Sequence, residues 1–461
     1  MPKDTATYDL IVIGTGSGGA PAASKCAADG WSVAIVDDQP YGGTCALRGC
    51  DPKKVLIGGA ELVGRARRMQ GHGVSGAFLL DWPELMRFKR TFTEDVPSSR
   101  ERRFEEQGID PYHGPARFIG EDRIEVEGQT LRFENLLLAN GAKPAPLPFE
   151  GAEHLATSTD FLELDRLPGR IVFVGGGYIS MEFAHLAARA GAEEVTVLHR
   201  GERLLEGFET DLVEVLTEHT RSSLGIDVRL GTPVTDVERR GEGVVVRAES
   251  EDGEEIRREA DLAVHGAGRV PALDAMDLEA GGVEHSEADG VAVTEHLRSR
   301  SNPRVWAAGD AAATEGLPLT PVATAESLTV ASNLRADSDP GRWRTPAYAG
   351  LPTVVFTDPP LASVGLTEAE AEKQGLDFAT SGSEDITDWY SYKRLRSQAA
   401  GFKVLTGEET GEVLGAHVLG GSAGETINLF AQAMRHGIAA SELRHGLYAY
   451  PTHGSDLPHM V

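Results

Sequence analysis

At 461 residues the chain is too long for one hydrophobic core, and roughly two to four domains are expected. Hydrophobic content of 41% and charged content of 25% are ordinary for a globular protein, and no run reaches the roughly 18 apolar residues of a membrane span. With 44 basic against 71 acidic residues, the net charge of −27 disfavours nucleic acid and anionic lipid as partners.

The opening Met1-Pro2-Lys3-Asp4-Thr5 has neither a basic n-region nor an apolar h-region, so a cytoplasmic location is expected. Tyr8 to Ile13 is a short apolar run ending at glycines, the pattern of a buried parallel strand. Gly14-Thr15-Gly16-Ser17-Gly18-Gly19 follows, a G-x-G-x-x-G spacing ahead of a small-residue helix from Ala20 to Ala28. Gly14 makes the tight turn, Gly16 admits a pyrophosphate to the backbone, and Gly19 lets helix and strand pack closely. The helix N-terminus then meets the phosphate charge. After a strand from Ser32 to Val36 comes Asp37, 23 residues beyond Gly14, where a carboxylate binds ribose hydroxyls.

Cys45 and Cys50 stand five positions apart, just after this dinucleotide fingerprint. They read as a dithiol/disulfide that passes electron pairs, against the alternatives of a structural disulfide or half of a zinc site. Three cysteines are too few for a stapling framework, and no further ligands for a four-ligand zinc site stand at short spacing. Cys26, inside the small-residue helix, reads as a small buried hydrophobe. Polar helical stretches follow over Pro52 to Arg68 and Trp82 to Gln107. A hairpin (Arg123 to Val126, Gly128, Leu131 to Phe133) then leads into the strand Leu136 to Ala139.

A second strand–glycine–helix unit begins at Ile171 to Val174, with Gly175-Gly176-Gly177-Tyr178-Ile179-Ser180 placing Ser180 at the third glycine position. It is an internal repeat, which implies two related nucleotide-binding domains. Its next strand, Val195 to Leu198, ends in His199-Arg200-Gly201-Glu202-Arg203 and not in an acid. A carboxylate there repels a 2′-phosphate, whereas Arg200 and Arg203 pair with one, so NADPH is the expected nucleotide and NADH the lesser one. Val244 to Glu249 and Glu255 to Arg258 flank Asp252-Gly253, strong hairpin chemistry. Pro144 to Pro148 and Pro340 to Pro352 read as linkers. The tail carries strands at Thr353 to Phe356, Phe402 to Leu405 and Val413 to Val418, then a helix from Ala423 to His436.

Further motifs stand in order: Gly42-Gly43-Thr44-Cys45 with Cys50, Leu138-Ala139-Asn140-Gly141, Gly266-Ala267-Gly268-Arg269-Val270-Pro271 and Val305-Trp306-Ala307-Ala308-Gly309-Asp310. Pro352-Thr353-Val354-Val355-Phe356-Thr357-Asp358-Pro359 and Ala362-Ser363-Val364-Gly365-Leu366-Thr367-Glu368 complete the set. In these the chain resembles, almost end to end, the pyridine nucleotide–disulfide oxidoreductases, the flavoenzymes that include glutathione, trypanothione and mercuric reductases and dihydrolipoamide dehydrogenase.

The resemblance implies an α/β fold of two Rossmann-like domains plus a C-terminal α+β dimerisation domain. Residues 1–150 would begin the FAD-binding domain, 151–270 bind NAD(P), 271–342 return to the FAD-binding domain, and 343–461 form a homodimer that shares its active site between subunits. It implies FAD as cofactor, with Asp310 on the ribityl chain and Gly114 near the adenine side. Gly43, Thr44, Gly141, Gly268, Arg269, Gly309 and Thr320 would also line the cofactors. Lys53 or Lys54, paired with Glu182, would stand near the reactive flavin nitrogen. Cys50 would be the thiol nearer the flavin, kept as a thiolate, and Cys45 the interchange nucleophile that forms a mixed disulfide.

The chain departs from the family at its end. Tyr450 occupies the position of the usual acid/base His, Ser455 that of the Glu orienting it, and Asp456 falls one residue late. A positioned acid/base is worth roughly 10²–10⁴-fold, and a tyrosine is a poor proton acceptor at neutral pH. His453, with Asp456 three residues on, is the candidate replacement, against a surface or interface histidine. No cysteine follows Cys50, unlike the metal-delivering pair of mercuric reductases, and Asp51 beside Cys50 opposes thiolate formation. The expected activity is NADPH-dependent reduction of a small disulfide. Alternatives are reduction of a metal ion or quinone, or a dihydrolipoamide-dehydrogenase-like component.

Overall fold

The computed structural model describes residues 6–336 and 339–461. The chain divides into two compact units, the first built from Met1–Lys53, Phe88–Ala145 and Arg269–Tyr348, the second from Lys54–Arg87, Pro146–Gly268 and Ala349–Val461. The linker expected at Pro144 to Pro148 contains one of these junctions.

In the first unit, the apolar run of the opening strand becomes the centre of a seven-stranded sheet. Ala6–Ile13 lies between Val33–Asp37 and Gln129–Leu138 in parallel pairing, with Leu10 opposite both Val33 and Asn135. Ile109–His113 extends one edge, and Val305–Ala307 pairs in parallel with Gln129–Leu138. Leu10, Ile11 and Val12 are wholly buried, as a parallel strand covered on both faces should be. The hairpin strand after Gly128 runs unbroken from Gln129 to Leu138, so hairpin and following strand are one element. The helix Ala20–Ala28 packs against Thr320–Arg335, with the Ala22 N–H donating to Ser327 Oγ at 3.1 Å. Cys26 sits in that contact, fully buried, and burial pushes its thiol up to about 12.

The helical stretch expected over Trp82 to Gln107 is two helices, Trp82–Arg90 and Val96–Glu106. Pro97 is the reason: a residue without an N–H cannot continue a helix but fits its first turn.

The second unit holds a four-stranded parallel sheet in the order Asp227–Arg229, Glu194–Leu198, Arg170–Val174, Leu262–His265. It also holds the antiparallel sheet Val234–Arg240, Gly243–Glu249, Glu255–Ala260, in which Asp252-Gly253 turns the hairpin. A five-stranded antiparallel sheet, covered by the helix Ala423–His436, builds the C-terminal part. No helix among the described residues is long and apolar enough to cross a membrane.

Of the buried histidines of this unit, three in its helices and terminal turn are held neutral. His185 lies well below its ordinary value through burial, then Arg189 and His219, and His219 is lowered to about 4 by burial, Arg189 and Arg68. Burial, with Arg394 and Arg65, lowers His453 to about 4 as well. Each group binds its proton more readily when the chain unfolds, so its contribution is intact above the unfolded value near 6.5 and is lost as pH falls from there toward 4. A melting temperature that declines across that window is the expected result, measured by calorimetry. A flat profile would mean the three rings are not held neutral.

Candidate active site

The first glycine loop is a set of close approaches. Gly14 has φ +105°, its N–H donates to Val36 O at 2.7 Å, and a Cβ on it would overlap Ala139 O. Gly43, at φ +74°, brings its own Cα position against Gly16, so a Cβ there would overlap Gly16 Cα. A Cβ on Gly18 would stand 3.1 Å from Ala308 O, and one on Gly19 would overlap Gly14 O. The loop is therefore closely packed backbone, with Gly14, Gly18 and Gly19 buried and Gly16 and Ser17 half-buried. Asp37 braces the loop: its Oδ2 accepts from Thr15 N (2.8 Å) and Oγ1 (2.6 Å), while the Gly114 N–H donates to Asp37 O at 2.9 Å.

The return segment is fixed by a residue that sequence reasoning missed. Glu326 is 1% exposed, and it accepts from the Gly309 N–H (2.6 Å), Thr314 Oγ1 (2.9 Å) and Tyr348 OH (2.6 Å). Burial pushes its carboxyl up, and those three donors oppose the shift. This network fixes the short 3₁₀ turn Gly309–Ala311 that carries Asp310. Alongside, Gly141 O accepts from the Ala272 N–H at 3.0 Å, and the Arg269 guanidinium bonds Ala142 O.

Cys45 lies in the helix Gly43–Arg48, and Cys50 opens the next helix, Cys50–Arg68. Gly49 separates them, where a side chain would stand 2.9 Å from Thr44 O. The two thiols lie within hydrogen-bonding contact, and Cys50 Sγ is 3.7 Å from Thr320 Oγ1 at the start of Thr320–Arg335. Cys50 is lowered to about 6: the Cys45 thiol donates to it, Thr320 and the Lys53 charge add to the shift, and burial and Asp51 oppose it. Cys45 moves strongly the other way, through that same hydrogen bond and burial, with Asp51 adding. The pair is asymmetric, one sulfur a thiolate at neutral pH and one a thiol.

The structure separates the two lysines. Lys53 bears on Cys50, whereas Lys54 Nζ bonds Glu61 Oε1 at 3.1 Å and stands 4.1 Å over the Phe356 ring. Glu182 is 2% exposed in the helix Tyr178–Ala190, with Oε1 accepting from the Phe356 N–H at 2.8 Å.

The second glycine loop repeats the first in part. A Cβ on Gly175 (φ +112°) would overlap Gly266 O, and one on Gly176 would stand 2.6 Å from the His199 ring. Gly177 is open, Tyr178 OH bonds Thr353 Oγ1 at 2.7 Å, and Ile179 is half-buried. Ser180, wholly buried, fills the third glycine position against Gly266. Arg203 is turned into its own loop, donating to Phe208 O (3.0 Å), Thr210 Oγ1 (2.7 Å) and Glu206 O (2.9 Å). Arg200 stays exposed, and Gly268 takes φ +109°. Of the two arginines, Arg200 alone presents its head outward.

At the chain's end Tyr450 is 79% exposed, but His453 is only 8% exposed and packs its ring 4.6 Å from Tyr392. Neither ring nitrogen of His453 has a hydrogen-bond partner among the described residues, so Asp456 does not orient it. Thr452 caps the terminal turn, its Oγ1 accepting from the Ser455 N–H while Ser455 Oγ accepts from the Thr452 N–H. In the single chain the His453 ring is turned inward and kept neutral.

Residues 8–327 match the family described as pyridine nucleotide-disulphide oxidoreductase, and residues 351–461 match its dimerisation domain. The chain belongs to this family. It is 33% identical to a dihydrolipoyl dehydrogenase of Haloferax volcanii, over 96% of this chain and 93% of that one. It is also 32% identical to a glutathione reductase of Burkholderia cepacia, over 96% of both. A mercuric reductase of Staphylococcus aureus is 31% identical over 96% of this chain and 80% of its own. Among solved structures, the Cu(II) complex of the HOCl-induced flavoprotein disulfide reductase RclA from Escherichia coli superposes with a TM-score of 0.86, at 25% identity and 99% coverage of both chains.

Members of this family are flavin-dependent oxidoreductases acting on sulfur groups, with FAD and NAD(P)H as cofactors. The first unit fits FAD by its own geometry. Gly14, Gly16, Gly18 and Gly43 carry no side chain where a pyrophosphate would approach, Asp37 ends the strand Val33–Asp37, and Asp310 lies in the turn Gly309–Ala311. The sequence held no signal for Glu326, since its partners Gly309, Thr314 and Tyr348 lie outside its own helix on either side of it. The contact of Cys50 with Thr320, across 270 positions, was equally invisible to spacing.

Proposed function

We propose that this family member is an NAD(P)H:disulfide oxidoreductase that passes electron pairs through Cys45 and Cys50 to a low-molecular-weight disulfide, as a homodimer sharing its active site. The asymmetry of the dithiol carries the reading. Bound FAD supplies two-electron transfer between the nicotinamide and the dithiol. The protein holds Cys50 as a thiolate with the Cys45 and Thr320 donors, the helix start and Lys53. Cys45, the partner that retains its proton, attacks the external disulfide, and Cys50 then resolves the mixed disulfide. Steady-state assay of the FAD-loaded protein against a panel of small disulfides tests this. Saturable NADPH oxidation by metal ions with none by any disulfide would defeat it.

NADPH is the proposed donor, with Arg200 as the phosphate reader. A charge-assisted hydrogen bond is worth about 1.5–3 kcal/mol, so Arg200→Ala should lower kcat/KM for NADPH by about tenfold or more and leave NADH unchanged. Glu206, with its carboxylate 3.6 Å from His199 Nε2, opposes the preference. A wild-type enzyme that favours NADH would overturn the assignment.

A second reading sends the same electrons to a metal ion or a quinone. It is favoured by Tyr450, exposed where the family's acid/base stands, and by the copper complex of the Escherichia coli relative. Cu(II), Hg(II) and quinones therefore belong in the same assay panel.

A further inference from the structure

Asp51 stands on the first turn of the helix Cys50–Arg68, and its Oδ1 lies 3.9 Å from Cys45 Sγ, within the longer range of a thiol donor, as the alternative acceptor to Cys50 for the one hydrogen of that thiol. We propose that Asp51 is the catalytic acid/base of the disulfide-interchange step, taking the Cys45 proton during attack on the substrate and returning it to the departing sulfur. The inference rests on the disulfide-reductase reading and deepens it.

Two independent observations point to Asp51. At the chain's end Tyr450 replaces the expected histidine, and His453 is buried, lowered to about 4 and without a hydrogen-bond partner among the described residues. The second observation is charge placement around the two sulfurs. Lys53 acts on Cys50 and favours its thiolate, while the Asp51 carboxylate, beside Cys45, adds to the hydrogen bond with Cys50 and the burial that keep that sulfur protonated. A thiol that keeps its proton in the resting state needs an acceptor within reach when it attacks, and Asp51 makes the contact. The other groups facing the dithiol are Thr320, from the helix Thr320–Arg335, and Arg269, whose charge acts on Cys50 and is itself opposed by Arg48. Neither Thr320 nor Arg269 accepts a proton from Cys45 at neutral pH, and the Cys50 thiolate, which does take its hydrogen bond, must stay unprotonated to attack Cys45 in the next step.

The step balances. The Cys45 S–H bond breaks and its proton passes to Asp51 Oδ1 as Cys45 Sγ bonds one sulfur of the substrate disulfide. The substrate S–S bond breaks, and the departing thiolate takes the proton from Asp51. Cys50 thiolate then attacks Cys45 Sγ, closing the Cys45–Cys50 disulfide and releasing the second thiolate, which takes its proton from water. Two electrons have moved from the dithiol to the substrate, and the family's NAD(P)H-dependent activity restores them.

A simple electrostatic role predicts the opposite outcome, because removing a carboxylate beside a thiol makes the thiolate easier to form. The test therefore uses FAD-loaded wild type, Asp51→Asn and Asp51→Glu, reduced by NADPH and mixed in stopped flow with two probes. Bis(hydroxyethyl) disulfide has a basic leaving thiolate that needs a proton, whereas dithiobis(nitrobenzoate) releases an acidic thiol that does not. We expect Asp51→Asn to slow the alkyl disulfide about 10²-fold and the aromatic one by less than about tenfold. Asp51→Glu, which keeps the carboxylate, should recover most of the alkyl-disulfide rate. Alkylation of Cys45 by iodoacetamide near neutral pH, read by mass spectrometry, should be faster in Asp51→Asn than in wild type.

If Asp51→Asn left both rates unchanged, raised them, or slowed both equally, the acid/base role would be refuted while the disulfide-reductase reading stood. If the wild type reduced neither probe, that reading would fall and the Asp51 role with it.

Discussion

Cys45→Ser is expected to keep its FAD and to show a long-wavelength thiolate–flavin absorption before any NADPH is added, while losing disulfide turnover by on the order of 10³-fold or more. In the wild type the same band should appear only on two-electron reduction, because Cys50 is otherwise tied up in the disulfide. Removing Cys45 leaves Cys50 permanently unpaired beside Thr320 and Lys53, two of the groups that favour its ionised form. A serine hydroxyl still donates a hydrogen bond to Cys50 but is far too weak a nucleophile for interchange. Cys50→Ser should lose turnover to a similar extent and show no band under either condition.

The band also carries a pH signature. Cys50 is lowered to about 6, so it is charged above that value and gains its proton below it. In the wild-type reduced protein the absorption should hold from neutrality down to about pH 6 and fade as the pH drops through it. In Cys45→Ser the midpoint should move upward to the extent that serine is a poorer donor to Cys50 than the Cys45 thiol. A band that survives in Cys50→Ser, or that is missing from both the reduced wild type and Cys45→Ser, would remove Cys50 from the flavin side.

Much of this site is legible in the sequence because its parts are local. The loop Gly14 to Gly19, the helix Ala20–Ala28 and the Cys45–Cys50 spacing are each set within a few residues by backbone sterics. Strands with all side chains apolar were legible for the same reason, whereas Ile109–His113, in which only Ile109 is buried and which contains Pro111, was not. The position of Asp51 beside Cys50 was visible, and so was its opposition to thiolate formation. What could not be read was that its carboxylate turns to Cys45, because that depends on how the helices Gly43–Arg48 and Cys50–Arg68 meet at Gly49. The inward turn of His453 was hidden too. It follows from Tyr392, 61 positions away, and residues two or three apart in a sequence say little about which of them faces solvent. Arg203 offers a similar lesson: its type suits a phosphate, but three oxygens of its own loop already occupy it.

Gly43→Ala should be a strongly damaging methyl addition in the first unit, as Gly14→Ala, under the same two constraints, should be. Gly43 combines two constraints that each exclude a side chain. Its φ of +74° lies in the left-handed region, which costs an L-residue about 1–2 kcal/mol. Its Cβ would also overlap the Cα of Gly16, a backbone atom that cannot rotate away. The Gly14 to Gly19 loop or the start of the helix Gly43–Arg48 must then move, and each is fixed at its other end. Gly42 N donates to Thr15 Oγ1 at 2.9 Å, and Thr15 in turn is bonded to Asp37. Displacement is therefore shared between the pyrophosphate loop and the helix that carries Cys45, so cofactor retention and sulfur geometry should fail together. We expect Gly43→Ala to lose most of its FAD on gel filtration, read from the ratio of flavin to protein absorbance, and to melt several degrees lower. Gly30→Ala is the control, since Gly30 also has a positive φ (+85°) but a Cβ there meets nothing within 4 Å. It should cost only the backbone penalty and retain the flavin. Equal flavin content in the two variants would show that the approach of Gly43 to Gly16 does not position the cofactor.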